Sequence, residues 1–457
     1  MYSFIARKVI FPTYSFLRRS DYYKYYKFLK KTEWWSREEL IKLQTKKFRN
    51  LIKHSYASVP FYKRYFKENN LSITDFQIMS DIVKLPIITK DQIRSNLKDF
   101  TSVINDKRIF LATGGSTGEP FKFYFSANAS SKGGAAELRG REYMGYKLGE
   151  KLLWIWGSYF DLKEFNKFQA RVLRKFRRTK IVDALKISEE SIAEYIQLIR
   201  RFKPKAIFGY TSSIFSIANH ILKNDLELLN VPILINGAET LYPHWKNTVE
   251  SAFNGTFYNH YATRESTIVS DECVYREGCH ISIENGQIEI IKNNQPVFDE
   301  RGKITVTDFN NYSMPIIRYE IGDVGTITES SCSCGRSHPL LKEIEGRISD
   351  FIVSKTGTVY NPLSFMWLFY EDPYNWDPNS FLSLERYQVI QETLDKIIIN
   401  IVPTKQYTKI IKEKILRNFR NLVQDDFEIE INLVEEIPET QSGKRRYVVS
   451  KIKDLGF

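Results

Sequence analysis

The most distinctive local feature of the sequence is a glycine-rich loop near residue 115. It follows the apolar run 109–112 and consists of Thr113, Gly114, Gly115, Ser116, Thr117 and Gly118. Three glycines among hydroxyl side chains leave backbone N–H groups exposed with little bulk around them, which suits the oxygens of a polyphosphate. The Gly-Lys-Ser/Thr ending of a Walker loop is absent, which argues against an ordinary P-loop NTPase. A glycine turn with a purely structural role would have the same composition.

Three cysteines and one histidine form a second group that could do chemistry. They are spaced as Cys273-x6-His280 and Cys332-x-Cys334. Three thiolates and one imidazole match a closed structural zinc site, in which the metal would join separated loops. Cys279 is an alternative ligand. The competing interpretation is four reduced, partly buried thiols, because cysteine often behaves as a small apolar residue.

Five later segments complete the set of candidate site residues. In chain order they are 236–239 (Asn-Gly-Ala-Glu), 261–265 (Tyr-Ala-Thr-Arg-Glu), 319–323 (Tyr-Glu-Ile-Gly-Asp), 346–350 (Gly-Arg-Ile-Ser-Asp) and 438–444 (Pro-Glu-Thr-Gln-Ser-Gly-Lys). Each segment alone could be a turn or part of an ion pair. Together with the glycine loop they form a series in fixed order, which is far more specific than any one segment.

This series resembles the acyl-adenylate-forming superfamily of acyl-coenzyme A synthetases, peptide-synthetase adenylation domains and luciferases. Four further segments narrow the resemblance to the phenylacetate-coenzyme A ligase-like family and its branch associated with capsular polysaccharide biosynthesis. These segments are 54–62, 85–90, 208–212 and 332–336. The resemblance covers about residues 36 to 452. Relatives often carry the cysteine and histidine pattern, which supports pairing its two halves.

The resemblance implies a site for MgATP. The loop 113–118 would bind the β- and γ-phosphates, and Glu265 would bind magnesium through a hard carboxylate oxygen. Adenine and ribose contacts are expected from Gly237, Ala238, Glu239, Tyr261, Asp323 and Arg347. Tyr261 would stack on adenine beside the backbone of residues 237–239, and Asp323 would accept hydrogen bonds from both ribose hydroxyls. Arg347 would reach the ribose or the phosphates.

Lys444 is the residue expected to catalyse adenylation. Its point charge could bridge the attacking carboxylate and the α-phosphate, where negative charge develops. The chain departs from the family pattern at Ala262, where Gly is commoner, and at Arg264, where Thr is usual. Ser349 also departs from it and leaves Asp350 as the acidic residue of the hinge. Arg264 could contact the α-phosphate or a substrate carboxylate, or form an outward ion pair.

Length and composition limit the classes of protein to which the chain could belong. With 457 residues, 42% of them apolar, the chain can bury one large core and a second smaller one. No run of about 18 uncharged apolar residues is present, so an integral membrane protein is not expected. The N-terminal apolar stretch is broken by Arg7, Lys8 and Pro12, unlike a secretory signal. The sequence therefore predicts a cytoplasmic protein with reduced cysteines.

Positive charge is concentrated in the first 54 residues. They hold fourteen Lys or Arg and four acidic residues, which gives +10 of the total +13. In the leader, residues 1–35, aromatic residues alternate with lysines, a mixture that suits an anionic membrane surface or nucleic acid. A membrane arm would place the protein at the inner membrane surface as a peripheral protein. The alternative is a helical arm whose aromatic side chains pack on the protein's own body.

The elements that would position the site fall into three parts. Apolar spacing and a Ser36/Glu39 capping box predict a helix over 36–53. Short apolar strands then alternate with helical stretches, which indicates an α/β layer. These strands are 152–156, 206–208, 231–235 and 256–258. Past residue 280 the pattern changes to short β segments, which predict a β-rich subdomain. A β-β-α-β order at 387–390, 396–402, 408–423 and 427–434 predicts a small α+β unit.

The predicted fold is therefore an α/β large N-terminal domain, with sheets flanked by helices plus a β-rich subdomain, and a small α+β C-terminal domain. This is an acyl-coenzyme A synthetase-like architecture. The expected domains are the leader 1–35, a large adenylate-forming domain 36–345 and a C-terminal lid 346–457. The lid would turn at a hinge near 346–350.

The function implied is a two-step ligase. A carboxylic acid and MgATP would give acyl-AMP, and an acceptor would then replace AMP. Coenzyme A is the family default as acceptor, whereas an amine or hydroxyl of a sugar intermediate would fit the capsular branch. A non-catalytic scaffold is a remote alternative. Nucleic-acid binding is not expected, because the chain beyond the leader is nearly neutral and shows no nucleic-acid module.

Overall fold

The computed structural model describes most of the chain. The described residues are 2–17, 20–104, 107–113, 121–156, 168–182, 189–347, 352–356, 359–360, 365, 368–369, 382–438 and 446–452.

The helices of these residues are labelled in chain order. They are α1 (Tyr2–Ile5), α2 (Phe11–Leu17), α3 (Tyr22–Thr32), α4 (Arg37–Ser58), α5 (Pro60–Glu68), α6 (Lys90–Ser95), α7 (Ala127–Tyr143), α8 (Phe168–Arg177), α9 (Glu189–Phe202), α10 (Thr211–Lys223), α11 (Pro243–Phe253) and α12 (Lys409–Val423). A π-helical turn, Ala6–Ile10, joins α1 to α2, and 3-10 turns occupy Ile73–Asp75 and Met79–Lys84.

The strands include those that the sequence predicted at 206–208, 256–258, 396–402 and 427–434, together with others that it did not predict. They are β1 (Arg108–Thr113), β2 (Phe121–Ser126), β3 (Leu152–Ile155), β4 (Thr179–Val182), β5 (Ala206–Tyr210), β6 (Ile233–Gly237), β7 (Thr256–Tyr258), β8 (His260–Ala262), β9 (Val269–Glu272), β10 (Cys279–Ile281), β11 (Gly286–Lys292), β12 (Gln295–Val297), β13 (Gly302–Asp308), β14 (Tyr319–Thr328), β15 (Leu340–Arg347), β16 (Ile352–Val353), β17 (Val359–Tyr360), β18 (Leu384–Thr393), β19 (Lys396–Pro403), β20 (Glu428–Leu433) and β21 (Val448–Ser450).

A five-stranded parallel sheet in the order β4-β3-β5-β6-β7 forms one layer of the large domain. Every residue of β5 and β6 is buried, as expected for parallel strands covered on both faces. Neighbouring residues point to opposite faces. Ile207 accordingly packs in the cluster with α9, α10 and α11, whereas Ala206 packs with α3 and α7. The predicted α/β layer is confirmed.

Helix α3 of the leader packs on one face of the parallel sheet. Tyr25, Tyr26 and Leu29 of α3 are buried in the same cluster as Ala135 of α7. The aromatic side chains of α3 therefore pack on the protein's own body, which is the alternative to an aromatic membrane arm. The domain limits 1–35, 36–345 and 346–457 stay predictions.

Helix α4 follows the sequence pattern closely. Ser36 accepts a hydrogen bond from the backbone N–H of Glu39, and the Glu39 carboxylate accepts one from the N–H of Ser36. The helix ends at Ser58 rather than near residue 53. Pro60 then starts α5 directly, because proline is well tolerated in the first turn of a helix.

The β-rich subdomain is an antiparallel sheet of eight strands in the order β12-β11-β13-β14-β15-β10-β9-β8. Beyond it, β20-β19-β18-β21 form a smaller mixed sheet whose core includes Ile415 and Phe419 of α12. Trp245 of α11 belongs to the same apolar cluster. The large domain and the C-terminal unit therefore meet at α11. Among the residues described, no helix is both long and apolar enough to span a bilayer.

Candidate active site and metal cluster

Tyr261 and Asp323 are brought together by the curl of the eight-stranded sheet. Tyr261 lies on β8 and Asp323 on β14, four places away in the strand order. The Tyr261 hydroxyl nevertheless donates to Asp323 Oδ2 at 2.9 Å. Arg347 lies directly opposite Asp323 in the pairing of β14 with β15. The backbone N–H of His260 donates to Asn236 Oδ1 at 2.6 Å, which fixes β8 to the end of β6.

The turn after β6 is shaped by its backbone. A Cβ on Gly237 would lie 2.9 Å from Cζ3 of Trp156, so only glycine fits there without a shift. Ala238 has φ +61°, a left-handed conformation that costs free energy for a residue with a Cβ. Asn236 Nδ2 donates to the Glu239 carbonyl at 3.0 Å and holds the turn. Because β8 is held to the end of β6, this turn lies near Tyr261.

Lys90 was assigned no role from the sequence, but it lies beside Glu265. It begins α6, whose cap is a box formed by Thr89 and Gln92. Its Nζ lies 3.8 Å from Glu265 Oε1 and 5.3 Å from the ring centroid of Phe121. Phe121 begins β2 directly after the glycine-rich loop. A cation and a buried carboxylate therefore lie where that loop meets its second strand. The sequence signals for this position were the capping pattern Thr-x-x-Gln and the family-like segment 85–90.

The buried Asp308 holds the segment that carries Glu265. Its carboxylate accepts from the backbone N–H and hydroxyl of Thr267 and from the N–H groups of Asn310 and Asn311. Burial raises the pKa of Asp308, while these hydrogen bonds oppose the rise. The network therefore fixes the loop between β8 and β9, and the orientation of Glu265 depends on it.

Part of the predicted phosphate site lies outside the described residues. These positions are Gly114, Gly115, Ser116, Thr117, Gly118, Ser349, Asp350 and Lys444. For Thr113 and Arg347 only the backbone is described. Thr113 pairs with Phe121 in the ladder of β1 and β2, so the two ends of the loop are adjacent. The side chain of Arg264 is exposed, whereas that of Glu265 is buried.

The four predicted zinc ligands form a compact cluster. The ligand atoms of Cys273, His280, Cys332 and Cys334 lie within 4.8 Å of one another. Cys273 Sγ is 3.6 Å from Cys332 Sγ, and Cys334 Sγ is 3.4 Å from His280 Nε2. Tetrahedral zinc with bonds of about 2.0 to 2.3 Å would require ligand separations of roughly 3.5 to 3.8 Å. The donor set and the spacing both fit zinc.

The protonation state of His280 suits metal binding. Burial, with the nearby charges of His338 and Arg336, lowers the pKa of His280 to about 3, so the imidazole is neutral at neutral pH. Neutral imidazole is the form that binds metal. Burial raises the pKa of Cys273 and of Cys332, so metal binding would release their protons. Cys279 does not join the cluster.

The reason for excluding Cys279 is the alternation of side chains along β10. Cys279 and His280 are consecutive, so their side chains point to opposite faces of the sheet. The Cys279 thiol instead donates to the carbonyl of Asn259 at 3.6 Å. The alternative in which Cys279 replaces one of the four ligands is therefore wrong.

Comparison with known proteins gives the family. The chain is 30% identical to Protein CapK of Staphylococcus aureus over 424 residues, 91% of this chain and 90% of that protein. Residues 380–451 match the family model of the CapK C-terminal domain. The chain belongs to the CapK family. This family lies within the phenylacetate-coenzyme A ligase-like group of adenylate-forming enzymes, as the sequence predicted.

More distant relatives agree with this assignment. A phenylacetate-coenzyme A ligase of Thermus thermophilus is 24% identical over 335 residues, 71% of this CapK-family chain and 74% of the ligase. A solved structure of 2-hydroxyisobutyryl-CoA ligase in the postadenylation state matches with a TM-score of 0.69 and 18% identity, over 92% of this chain and 91% of that one. The predicted two-part fold is confirmed. In sequence and fold the CapK-family chain is thus similar to ligases that join acids to coenzyme A.

Proposed function

We propose that this CapK-family enzyme activates a carboxylic acid as its acyl-AMP and transfers the acyl group to an acceptor used in making a surface polysaccharide. In the first step a carboxylate oxygen attacks the α-phosphorus of ATP. The bond from this phosphorus to the bridging oxygen of the β-phosphate breaks, and pyrophosphate leaves. In the second step the acceptor replaces AMP at the acyl carbon.

The hydrogen bond between Tyr261 and Asp323 carries the proposal. It places a phenol ring and a carboxylate side by side, with Arg347 opposite the carboxylate in the sheet. The ring can stack on adenine, and the two carboxylate oxygens can accept from both ribose hydroxyls. The backbone of residues 237–239 lies near Tyr261. This combination suits the adenosine half of a nucleotide.

The triphosphate half would meet the glycine-rich loop, Glu265 and Lys90. Glu265 is the residue that would hold magnesium, whose charge would offset that of the β- and γ-phosphates. Lys90 Nζ lies 3.8 Å from Glu265 Oε1 and is the described cation closest to this carboxylate. We infer that Lys90 orients Glu265 before ATP binds and contacts a phosphate oxygen afterwards. Arg264 and Lys444 would act on the reacting carboxylate and α-phosphate.

The acceptor follows from the relatives rather than from the site. Coenzyme A is the acceptor named for the phenylacetate ligases, and we take it as the first candidate here. The similarity to Protein CapK favours a capsule-related product, for which a sugar amine or hydroxyl would be the second candidate. A thioester could also be an intermediate on the way to such a sugar derivative.

An exchange of labelled pyrophosphate into ATP tests the first step. We expect exchange that depends on magnesium and on one class within a library of carboxylic acids. Asp323→Ala should raise the KM for ATP at least about tenfold, because a bidentate partner of the ribose is lost. Lys355→Ala, at an exposed ion pair with Asp395, is the control and should leave the KM unchanged. Absence of exchange with every acid, together with absence of ATP binding, would favour the non-catalytic scaffold.

We also propose that Cys273, His280, Cys332 and Cys334 hold a structural zinc ion. The purified protein should contain about one zinc per chain, and Cys332→Ser should lose both the metal and several kcal/mol of stability. Elemental analysis and thermal melting measure the two effects. Cys279→Ser is the matched control, because this thiol is buried but lies outside the cluster. Protein prepared without chelator and free of metal would contradict the site.

A further inference from the structure

The N-terminal helical segment has two faces, and only one of them packs on the protein. Ala6 and Phe11 are fully buried against the body. The Ser3 hydroxyl donates to the Leu148 carbonyl at 2.8 Å, and a Cβ on Gly149 would lie 2.6 Å from Cβ of Ala6. The segment is therefore packed tightly against the domain. These contacts bury the inward face of the segment.

The outward face of the same segment is apolar. Phe4 is 62% exposed, Val9 56%, Phe16 81% and Leu17 74%. The π-helical turn Ala6–Ile10 lies just before Pro12, which cannot donate a backbone hydrogen bond and would crowd the carbonyl of residue 8 in a regular helix. This widened turn is bordered on both sides by exposed apolar residues. Neighbouring large apolar side chains exposed in this way usually mark an interaction surface.

Helix α8 extends this face with positive charge. The Tyr2 hydroxyl donates to the Phe176 carbonyl at 2.7 Å, and the guanidinium of Arg177 lies 5.4 Å from the ring centroid of Phe11. Arg171, Lys175 and Lys180 are exposed on α8 and on β4, the strand that follows it. Neither residues 2–17 nor residues 168–180 contain an Asp or Glu. Every charged side chain of these two segments is therefore basic.

A basic cleft opens on the α8 side of this face. It has a volume of about 320 Å³ and is lined by Arg171, Arg174, Lys175, Thr179, Lys180, Ile181 and Leu198. Burial and the neighbouring charge of Arg171 lower the pKa of Arg174. Positive charges are thus crowded together around a cleft large enough for a phosphate group. An anion bound in the cleft would reduce the electrostatic repulsion between these positive charges.

We propose that the outward face of residues 2–17 and helix α8 together dock on an anionic phospholipid bilayer, with a headgroup phosphate in the basic cleft. The apolar side chains would enter the interfacial region, and the cations would face the charged headgroups. The membrane contact is therefore made by residues 2–17 and α8, and not by the aromatic residues of α3, which are mostly buried or half-buried in the body. The proposal does not depend on the acyl substrate.

Sedimentation of the full-length protein with vesicles tests this surface. Binding is expected to phosphatidylcholine vesicles that contain phosphatidylglycerol, to weaken with salt, and to be much lower with pure phosphatidylcholine. Phe16→Gln with Leu17→Gln should lower the partition coefficient at least about tenfold. Arg171→Gln, Lys175→Gln and Lys180→Gln together should do the same. All five side chains are exposed, so the melting temperatures should stay at the wild-type value.

A matched control distinguishes binding through this particular surface from binding that depends only on the net charge of the protein. Lys46→Gln, Arg49→Gln and Lys53→Gln remove three exposed cations from α4, and binding should then fall by much less. An equal fall in both triple variants would overturn the proposal. The proposal would also be wrong if the wild-type protein did not bind anionic vesicles and light scattering showed a dimer. In that case the Phe16 and Leu17 changes would convert the dimer to a monomer. That outcome would assign the apolar face to a second copy of the chain.

Discussion

Replacing Lys444 by alanine should lower the rate of acyl-AMP formation at least about 100-fold while ATP binding stays within about threefold of wild type. Charge builds up at the α-phosphate only as the carboxylate attacks. An ammonium group aimed at that charge therefore stabilises the transition state more than bound ATP. Single-turnover adenylation measures the first effect, and ATP binding by calorimetry measures the second.

Lys444 lies outside the described residues, and the described part of the C-terminal unit resumes at residue 446. The Tyr447 ring lies 5.6 Å from the ring of Trp245, and Trp245 lies 5.0 Å from that of Tyr242. Tyr242 follows the turn of residues 237–239 by only three positions. Tyr447 therefore lies beside the helix that follows the turn of residues 237–239.

Lys451→Ala is the matched control for this prediction. Lys451 is in the same C-terminal unit, and it forms an exposed ion pair with Glu392 at 2.6 Å. Its removal should change the adenylation rate by less than about twofold, since exposed pairs contribute little. If Lys444→Ala kept wild-type pyrophosphate exchange, another group would have to stabilise the α-phosphate, and Arg264 would be the first to examine.

Replacing Arg139 by methionine should lower the free energy of unfolding by about 3 to 5 kcal/mol, because it leaves the Glu284 carboxylate charged and buried without its main partner. The two side chains are 2% and 0% exposed and form a two-point ion pair. Burial opposes ionisation of Glu284, but Arg139 and His338 hold its pKa well below the ordinary value. Urea unfolding followed by tryptophan fluorescence measures the change.

The Glu284 cluster also explains how the leader is attached. Thr32 at the end of α3 donates to Glu284 Oε1 at 2.5 Å, and Lys47 of α4 donates to the Glu284 carbonyl at 2.6 Å. The next residue, Asn285, donates to the carbonyl of Thr267, in the loop that carries Glu265. The leader is thus connected through one buried ion pair to the loop with the predicted magnesium ligand.

Two comparisons test the Arg139 result. Arg139→Met combined with Glu284→Met should be considerably less destabilising than the sum of the single changes, since no charge is then left buried alone. Lys292→Met breaks an exposed pair with Glu300 and should cost less than about 1 kcal/mol. An additive double variant would mean that Arg139 acts through packing and not through the carboxylate.

Local patterns explain why much of the fold was predictable from sequence. The capping box of α4 depends on residues only three positions apart. The strands β5 and β6 are short and mostly apolar, and this pattern can be recognised in the sequence. Spacing also indicated the cluster of three cysteines and one histidine, because Cys332 and Cys334 lie in one loop and His280 faces it from β10. The residue types in each motif limited the chemistry that each could perform.

The sequence by itself predicted the adenylate-forming family, the two-part fold, the four residues of the cysteine and histidine cluster and the residue types of the proposed nucleotide site. Only the tertiary structure decided that Tyr261 meets Asp323, since their strands are four places apart in the sheet and meet because the sheet curls. It also placed Lys90 beside Glu265 and turned Cys279 away from the metal cluster. Composition could not show which leader residues face inward. That depends on how the helices pack on the parallel sheet, which buries the α3 tyrosines and leaves Phe16 and Leu17 outside.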